Sequence, residues 1–188
     1  MKFGRRTALL AAFLFAIPFA QAAEFNRLRP DGSTVAFVYR QMGVPVEGGF
    51  RRFGGSLSFD PARPQAAKAV IEVDLAGIDT GFAEGNEEAQ GRLWFDTKNH
   101  PVARFVATSV KPLGGNRFEV AGRLSIKGRT REVKTPATFR QAGSSGVFEG
   151  AFILKRADYG IGEGVWADFD TVANEVEVRF RLSAVAAK

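Results

Sequence analysis

The chain contains no cysteine and only one histidine. Without cysteine there is no thiol nucleophile, no thiolate metal site, no disulfide and no lipoprotein anchor. A histidine-based metal site would need further ligands near His100, and none appear at metal spacing. His100 sits in Asn99-His100-Pro101, a turn-like setting ahead of a strand. It is expected to be an exposed loop residue rather than a general base, because base catalysis needs partners that the sequence does not place beside it. Glycine patterns that cradle phosphate are missing as well. Gly48-Gly49 and Gly54-Gly55 are not followed by a helix N-terminus, so they are expected to let a strand bend or bulge. Sequence repeats, coiled-coil heptads and low-complexity tracts are also absent, and only one long apolar run is present.

That run lies at the N-terminus. Lys2, Arg5 and Arg6 make a basic start, and Thr7 to Ala20 is almost wholly apolar. A bilayer span takes roughly 20 residues, so this stretch is short for an anchor. Ala20-Gln21-Ala22 supplies the small residues of a signal-peptidase site. Residues 1–22 are therefore expected to be a cleaved signal peptide, and 23–188 a single periplasmic domain. The Arg5-Arg6 pair leaves general secretion and twin-arginine export both open. Removing the signal leaves 23 basic residues against 20 acidic, a net charge of about +3. The basic residues are scattered along strands rather than clustered, which excludes a nucleic-acid footprint. Anionic lipid headgroups and quinone-type molecules stay open as partners.

The mature sequence reads as short alternating strands divided by Gly, Pro and Asn. In the run from Phe118 to Lys127, Phe118, Val120, Leu124 and Ile126 fall on one face, and Glu119, Arg123, Ser125 and Lys127 on the other. The C-terminal run repeats this, with Val176, Val178, Phe180 and Leu182 against Glu175, Glu177, Arg179 and Arg181. Further strands are expected over 33–40, 50–59, 68–75, 102–111, 131–140 and 147–155. Gly114-Gly115-Asn116 and Gly143-Ser144-Ser145-Gly146 read as hairpin loops. Only Glu84 to Trp94 reads as helical, shortened by Gly91. The fold class is therefore all-β, with about eight antiparallel strands forming a barrel or a sandwich. An outer-membrane barrel would show the same alternation turned outwards. The C-terminal Ala184-Val185-Ala186-Ala187-Lys188 lacks the terminal aromatic residue such barrels usually carry, which argues against it.

No catalytic centre emerges. Asp74 and Asp79 could be paired as acid and base, but one lies on the polar face of a strand and the other in a loop, so solvation and turn hydrogen bonds are expected. Arg156-Ala157-Asp158-Tyr159-Gly160 reads first as an ion pair and tight turn closing a barrel end, and second as a polar anchor at a pocket mouth. What is abundant is phenylalanine, 18 in all and 14 in the mature chain. A solid aromatic core is the plain explanation. Yet Phe53-Gly55-Leu57-Phe59 and Ala103-Phe105-Ala107 set small residues beside large ones on one face, which leaves space as readily as it fills it.

In order along the chain come Asp31 to Phe37, Gly49 to Asp60, Ile78-Asp79-Thr80-Gly81, Trp94-Phe95-Asp96 with Pro101 and Phe105, Gly122 to Gly128, and Arg156 to Ile161. Together these segments resemble the YceI-like family of lipocalin-like bacterial proteins that bind polyisoprenoids. Gly32 stands where the family usually has histidine, and Trp94-Phe95 where it has Phe-Phe. The resemblance implies an extended lipocalin-like barrel whose lumen holds an isoprenoid lipid or quinone; from the lone histidine and the missing cysteine, no metal and no other cofactor are expected. A homodimer is consistent with the resemblance, and transient contact with a membrane surface stays open. On face pattern and resemblance, the expected ligand-binding residues are Phe37, Phe53, Leu57, Trp94, Phe105, Leu124 and Phe152. Two alternatives stand beside the carrier. A hydrolase or isomerase would need a titratable group buried at a cavity. A structural or stress-response module would have a filled core.

Overall fold

The computed structural model describes residues 24–186, so the expected signal peptide, 1–22, lies outside the described residues. Ten strands form in chain order: β1 (Phe25–Gln41), β2 (Val44–Phe50), β3 (Phe53–Ser58), β4 (Lys68–Asp74), β5 (Ile78–Asp79), β6 (Val102–Gly114), β7 (Arg117–Ile126), β8 (Arg129–Ala142), β9 (Ser145–Lys155) and β10 (Glu175–Ala186). They make one antiparallel sheet in the order β3-β4-β6-β7-β8-β9-β10-β1-β2-β5. The sheet curls until its first strand meets the start of β1. There Phe25 and Phe59 exchange both backbone hydrogen bonds at 2.9 Å. Beyond that bridge, β3 and β1 run along an unzipped seam.

The architecture is the expected all-β barrel, but the strand count is ten rather than about eight. The run expected over 50–59 breaks at Arg51-Arg52, which divides β2 from β3. The sequence Val44-Pro45-Val46-Glu47-Gly48-Gly49 resembles a turn, which hides β2. Pro45 is tolerated because it pairs with Arg40 on one side and faces no further strand on the other. The hairpin loops at Gly115-Asn116 and Gly143-Ser144 join β6 to β7 and β8 to β9 as expected. The helix is shorter than the expected Glu84 to Trp94. α1 spans Ala83–Gln90, and the Gly91 N–H closes on the Glu88 carbonyl at 2.9 Å. Residues 91–100 then fold as turns, with His100 half-buried rather than exposed.

Many side chains facing outwards are charged, and several are tied in cross-strand ion pairs, such as Arg104 with Glu72 at 3.1 Å, Arg179 with Glu47 at 3.4 Å, and Arg140 and Arg181 on Glu149. The inner face is apolar and ends in two clusters. One end is sealed by Phe25, Phe59, Phe118 and Phe139, with Phe148 against them; ring centroids lie 4.7–5.6 Å apart. At the other end Leu75, Leu154, Tyr159 and Ile161 pack with Trp94 and Phe95 below α1 and the 156–174 loop.

Candidate ligand cavity

Between the two clusters the barrel is hollow. A cavity of about 560 Å³ runs from Phe59 and Phe118 at the sealed end to Gln41, Phe82, Glu88 and Trp166 at the α1 end. That volume is in the range of small-molecule sites, and it rules out the filled core that a purely structural module would have. Both alternating runs face into it. Phe118, Val120, Leu124 and Ile126 line the wall, as do Val176, Val178, Phe180 and Leu182.

Glycines explain why so many aromatic rings leave space. Gly48 lies opposite Phe37, and Gly150 lies opposite Phe180. Each ring covers the missing side chain, so that an added Cβ at Gly150 would stand 2.5 Å from Phe180 Cζ. Phe105 covers Gly122 in the same way. Rings laid flat against glycine coat the wall instead of crossing the lumen.

Of the seven residues expected in the wall, Phe37, Leu57, Trp94, Phe105, Leu124 and Phe152 border this cavity. Phe53 does not. It lines a separate groove of about 770 Å³ along the seam, with Ser33, Gly49, Arg51 and Asp79. Simple alternation would have turned Phe53 inwards with Leu57. However, it opens β3 directly after the Arg51-Arg52 break, and Gly55 follows at φ 144°, a conformation open to glycine alone. Val35 and Phe50 line both spaces and form the wall between them. Phe50, Val35, Ile71, Val73 and Phe148 are wall residues that the expected set omitted. Strand parity could have found Ile71 and Val73.

Charged side chains are few along the lumen. Glu84 and Glu88 stand exposed at the α1 end, and Lys68 is exposed near the other. Arg156 also borders the cavity, although it is only 2% exposed. It makes no ion pair with Asp158, contrary to the first reading of that segment. Its guanidinium donates to the carbonyls of Ile161 (2.9 Å), Gly162 (2.8 Å), Trp166 (2.7 Å) and Val172 (2.7 Å), and Nε reaches Ala173 at 3.2 Å. Trp94 and Phe169 cover its two sides, at 5.5 Å and 5.1 Å. Burial lowers its pKa from the ordinary arginine value. An arginine here folds the 161–173 loop over the barrel end, because its five donors in a rigid fork can satisfy several carbonyls at once.

The two aspartates stay apart in function. Asp74 accepts from Arg52 at 2.7 Å and caps the turn at Ala76, while Asp79 accepts from Arg51 at 2.6 Å and from the Gly81 N–H. Each arginine hydrogen bond holds its carboxyl below the usual carboxylate range. Neither lines the cavity. Among the described residues no three His, Cys, Asp or Glu side chains gather as metal ligands, and no helix is long and apolar enough to cross a membrane.

The family model described as the YceI-like domain matches residues 27–184. A UPF0312 protein of Azotobacter vinelandii is 33% identical over 144 residues, covering 73% of each chain. Among solved structures, BcnA of Burkholderia cenocepacia superposes with a TM-score of 0.82 at 38% identity, covering 84% of this chain and 99% of that one. A polyisoprenoid binding domain from Saccharophagus degradans, implicated in plant cell wall breakdown, gives 0.68 at 19% identity over 89% of this chain and all of that one. At that identity the second likeness concerns the fold alone.

Proposed function

The chain belongs to the YceI-like family, and on that premise we propose that it is a periplasmic carrier holding an isoprenoid lipid, polyprenyl or quinone-type, in the barrel lumen. The observation that carries this reading is the elongated, almost wholly apolar cavity of about 560 Å³. The polyisoprenoid-binding description of a neighbour with the same fold adds to it. The chemistry of the wall sets the ligand class. Each methylene buried gains about 0.8 kcal/mol. Association costs about 4–15 kcal/mol. A tail of roughly ten carbons gains about 8 kcal/mol, in the middle of that range, so a longer chain is needed for firm binding.

Polarity along the lumen gives the ligand a direction. The phenylalanine-sealed end suits the tail. A polar head group suits the α1 end, where Gln41, Thr80 and Glu88 line the cavity. An enzyme acting on an apolar substrate is a weaker reading, because the buried charge at the lumen, Arg156, spends its donors on backbone carbonyls. Arginine also holds its proton too tightly to serve as a general base.

The test is uptake of a prenyl quinone, followed by tryptophan fluorescence, in the mature protein and in Phe105→Asp. Wild type should bind at one site per chain, and Phe105→Asp should lose uptake while keeping its far-ultraviolet dichroism. A folded Phe105→Asp variant that binds as wild type does would contradict the assigned lumen. Export is tested by sequencing the N-terminus of periplasmic protein, which should begin at Ala23.

A further inference from the structure

Among the described residues eight large apolar side chains are exposed, and five of them surround one end of the barrel. Met42 is 74% exposed, Val44 61%, Phe82 45%, Val165 82% and Phe169 47%. The other three, Val102, Leu113 and Ile153, sit singly on strands, which is ordinary for a protein surface.

Hydrogen bonds join the segments that carry the five. The Met42 N–H donates to Thr171 O at 2.9 Å, and Gln41 bridges to Val172, so the β1–β2 hairpin tip leans on the loop that bears Phe169. Trp166 Nε1 donates to Glu88 at 2.7 Å, which ties the turn bearing Val165 to α1, whose N-cap is Phe82. Gln41, Phe82, Glu88 and Trp166 all line the lumen. The apolar tips therefore rim the lumen mouth, and Phe82 belongs to both.

Charge at this end runs against the rest of the chain. Segments 40–44, 82–92 and 164–172 carry Glu84, Glu87, Glu88, Asp168 and Asp170 against Arg40 and Arg92, a net charge of −3. Residues 23–188 as a whole carry +3. A mouth-to-mouth dimer would set two acidic rims face to face, since a two-fold interface matches each patch with itself. An anionic lipid surface would repel the rim as well.

We propose that the barrel mouth docks on a zwitterionic lipid surface, with Met42, Val44 and Val165 entering the interface so that the lumen opens onto the lipid. Apolar side chains on separate turns can each reach the boundary between head groups and acyl chains. The idea rests on the carrier reading, because a lipid cargo must pass between membrane and lumen at the mouth.

The experiment uses the mature protein and the double variant Met42→Glu/Val165→Glu. Neither side chain lines the lumen, and both are mostly solvated. Cosedimentation is measured with phosphatidylcholine–phosphatidylethanolamine vesicles, with and without phosphatidylglycerol, and prenyl-quinone uptake is measured from detergent. Wild type should sediment with the zwitterionic vesicles and bind less as phosphatidylglycerol is added. The double variant should lose at least ten-fold in vesicle binding while taking up detergent-delivered quinone normally. Wild type that stays in solution, a variant that sediments equally, or binding that rises with phosphatidylglycerol would each overturn the proposal. A dimer in sedimentation velocity that the double variant abolishes would also overturn it, by assigning the tips to a second copy. Failure of detergent-delivered uptake in wild type would instead sink the carrier reading.

Discussion

Replacing Gly150 by alanine puts a methyl group where the Phe180 ring now lies. The added Cβ would stand 2.5 Å from Phe180 Cζ and 2.5 Å from the Pro136 carbonyl oxygen. Carbon atoms rest at about 3.5–4.0 Å, so the ring must retreat by at least about 1 Å. Gly150 and Phe180 pair across β9 and β10 and share the inner face, so the open direction is the lumen. Overpacking of this kind costs about 1–3 kcal/mol. For a chain of this size that corresponds to a Tm lower by roughly 2–12 °C. Calorimetry and prenyl-quinone titration should show both effects, a lower Tm and weaker uptake. Adding Phe180→Leu removes the ring contact but leaves the carbonyl contact, so the double variant should regain part of the Tm and most of the uptake. Such coupling is what a double-mutant cycle isolates. If Gly150→Ala matched wild type in both Tm and uptake, the claim that glycines hold these rings against the wall would be wrong.

Other substitutions and conditions test other parts of the structure. Arg156→Met leaves the carbonyls of Ile161, Gly162, Trp166 and Val172 without their donor. At about 1–3 kcal/mol for each unsatisfied buried group, urea unfolding should show a loss of at least about 4 kcal/mol, and Arg156→Lys should recover little of it. Burial pushes the Tyr159 hydroxyl up to about 12 from 10.0. The unfolded chain therefore releases this proton first, and stability should fall as pH rises from 10 towards 12. Tyr159→Phe should flatten that fall in thermal scans. Asp74, Asp79 and Glu163 have lowered pKa values through their arginine and lysine partners. The stability they add is present above the ordinary carboxylate range and should fade as pH drops through their folded values. All three pairs are partly exposed, so the loss should be slight and reduced by salt.

The wall of the barrel was readable because strand parity is local. A buried face and a wet face alternate every second residue, and Phe118, Val120, Leu124 and Ile126 all line the lumen as their spacing implies. Parity misled only where the chain breaks step, at Arg51-Arg52 and Gly55, and there Phe53 falls into the seam groove. β2 was hidden because Pro45 and Gly48-Gly49 resemble turn residues. Their fitness for a strand depends on a free edge and on the Phe37 ring, both of which are tertiary facts. Arg156 was legible as an unusual residue but not as a carbonyl clamp. Its partners lie 5–17 positions away in a loop of no regular pattern. The hollow itself was only hinted at by small residues beside large ones. Whether a ring crosses a lumen or lies along its wall depends on the neighbouring strand, and single-strand patterns do not carry that.

What occupies the lumen decides whether the protein carries an isoprenoid lipid. Mature protein purified from the periplasm, without added lipid, should be examined by native mass spectrometry and by solvent extraction. A carrier of an isoprenoid lipid should yield a bound species of one molecule per chain that extracts into organic solvent and fragments in steps of one isoprene unit. Protein that is empty, and that also fails to take up added prenyl quinone, would contradict the carrier reading.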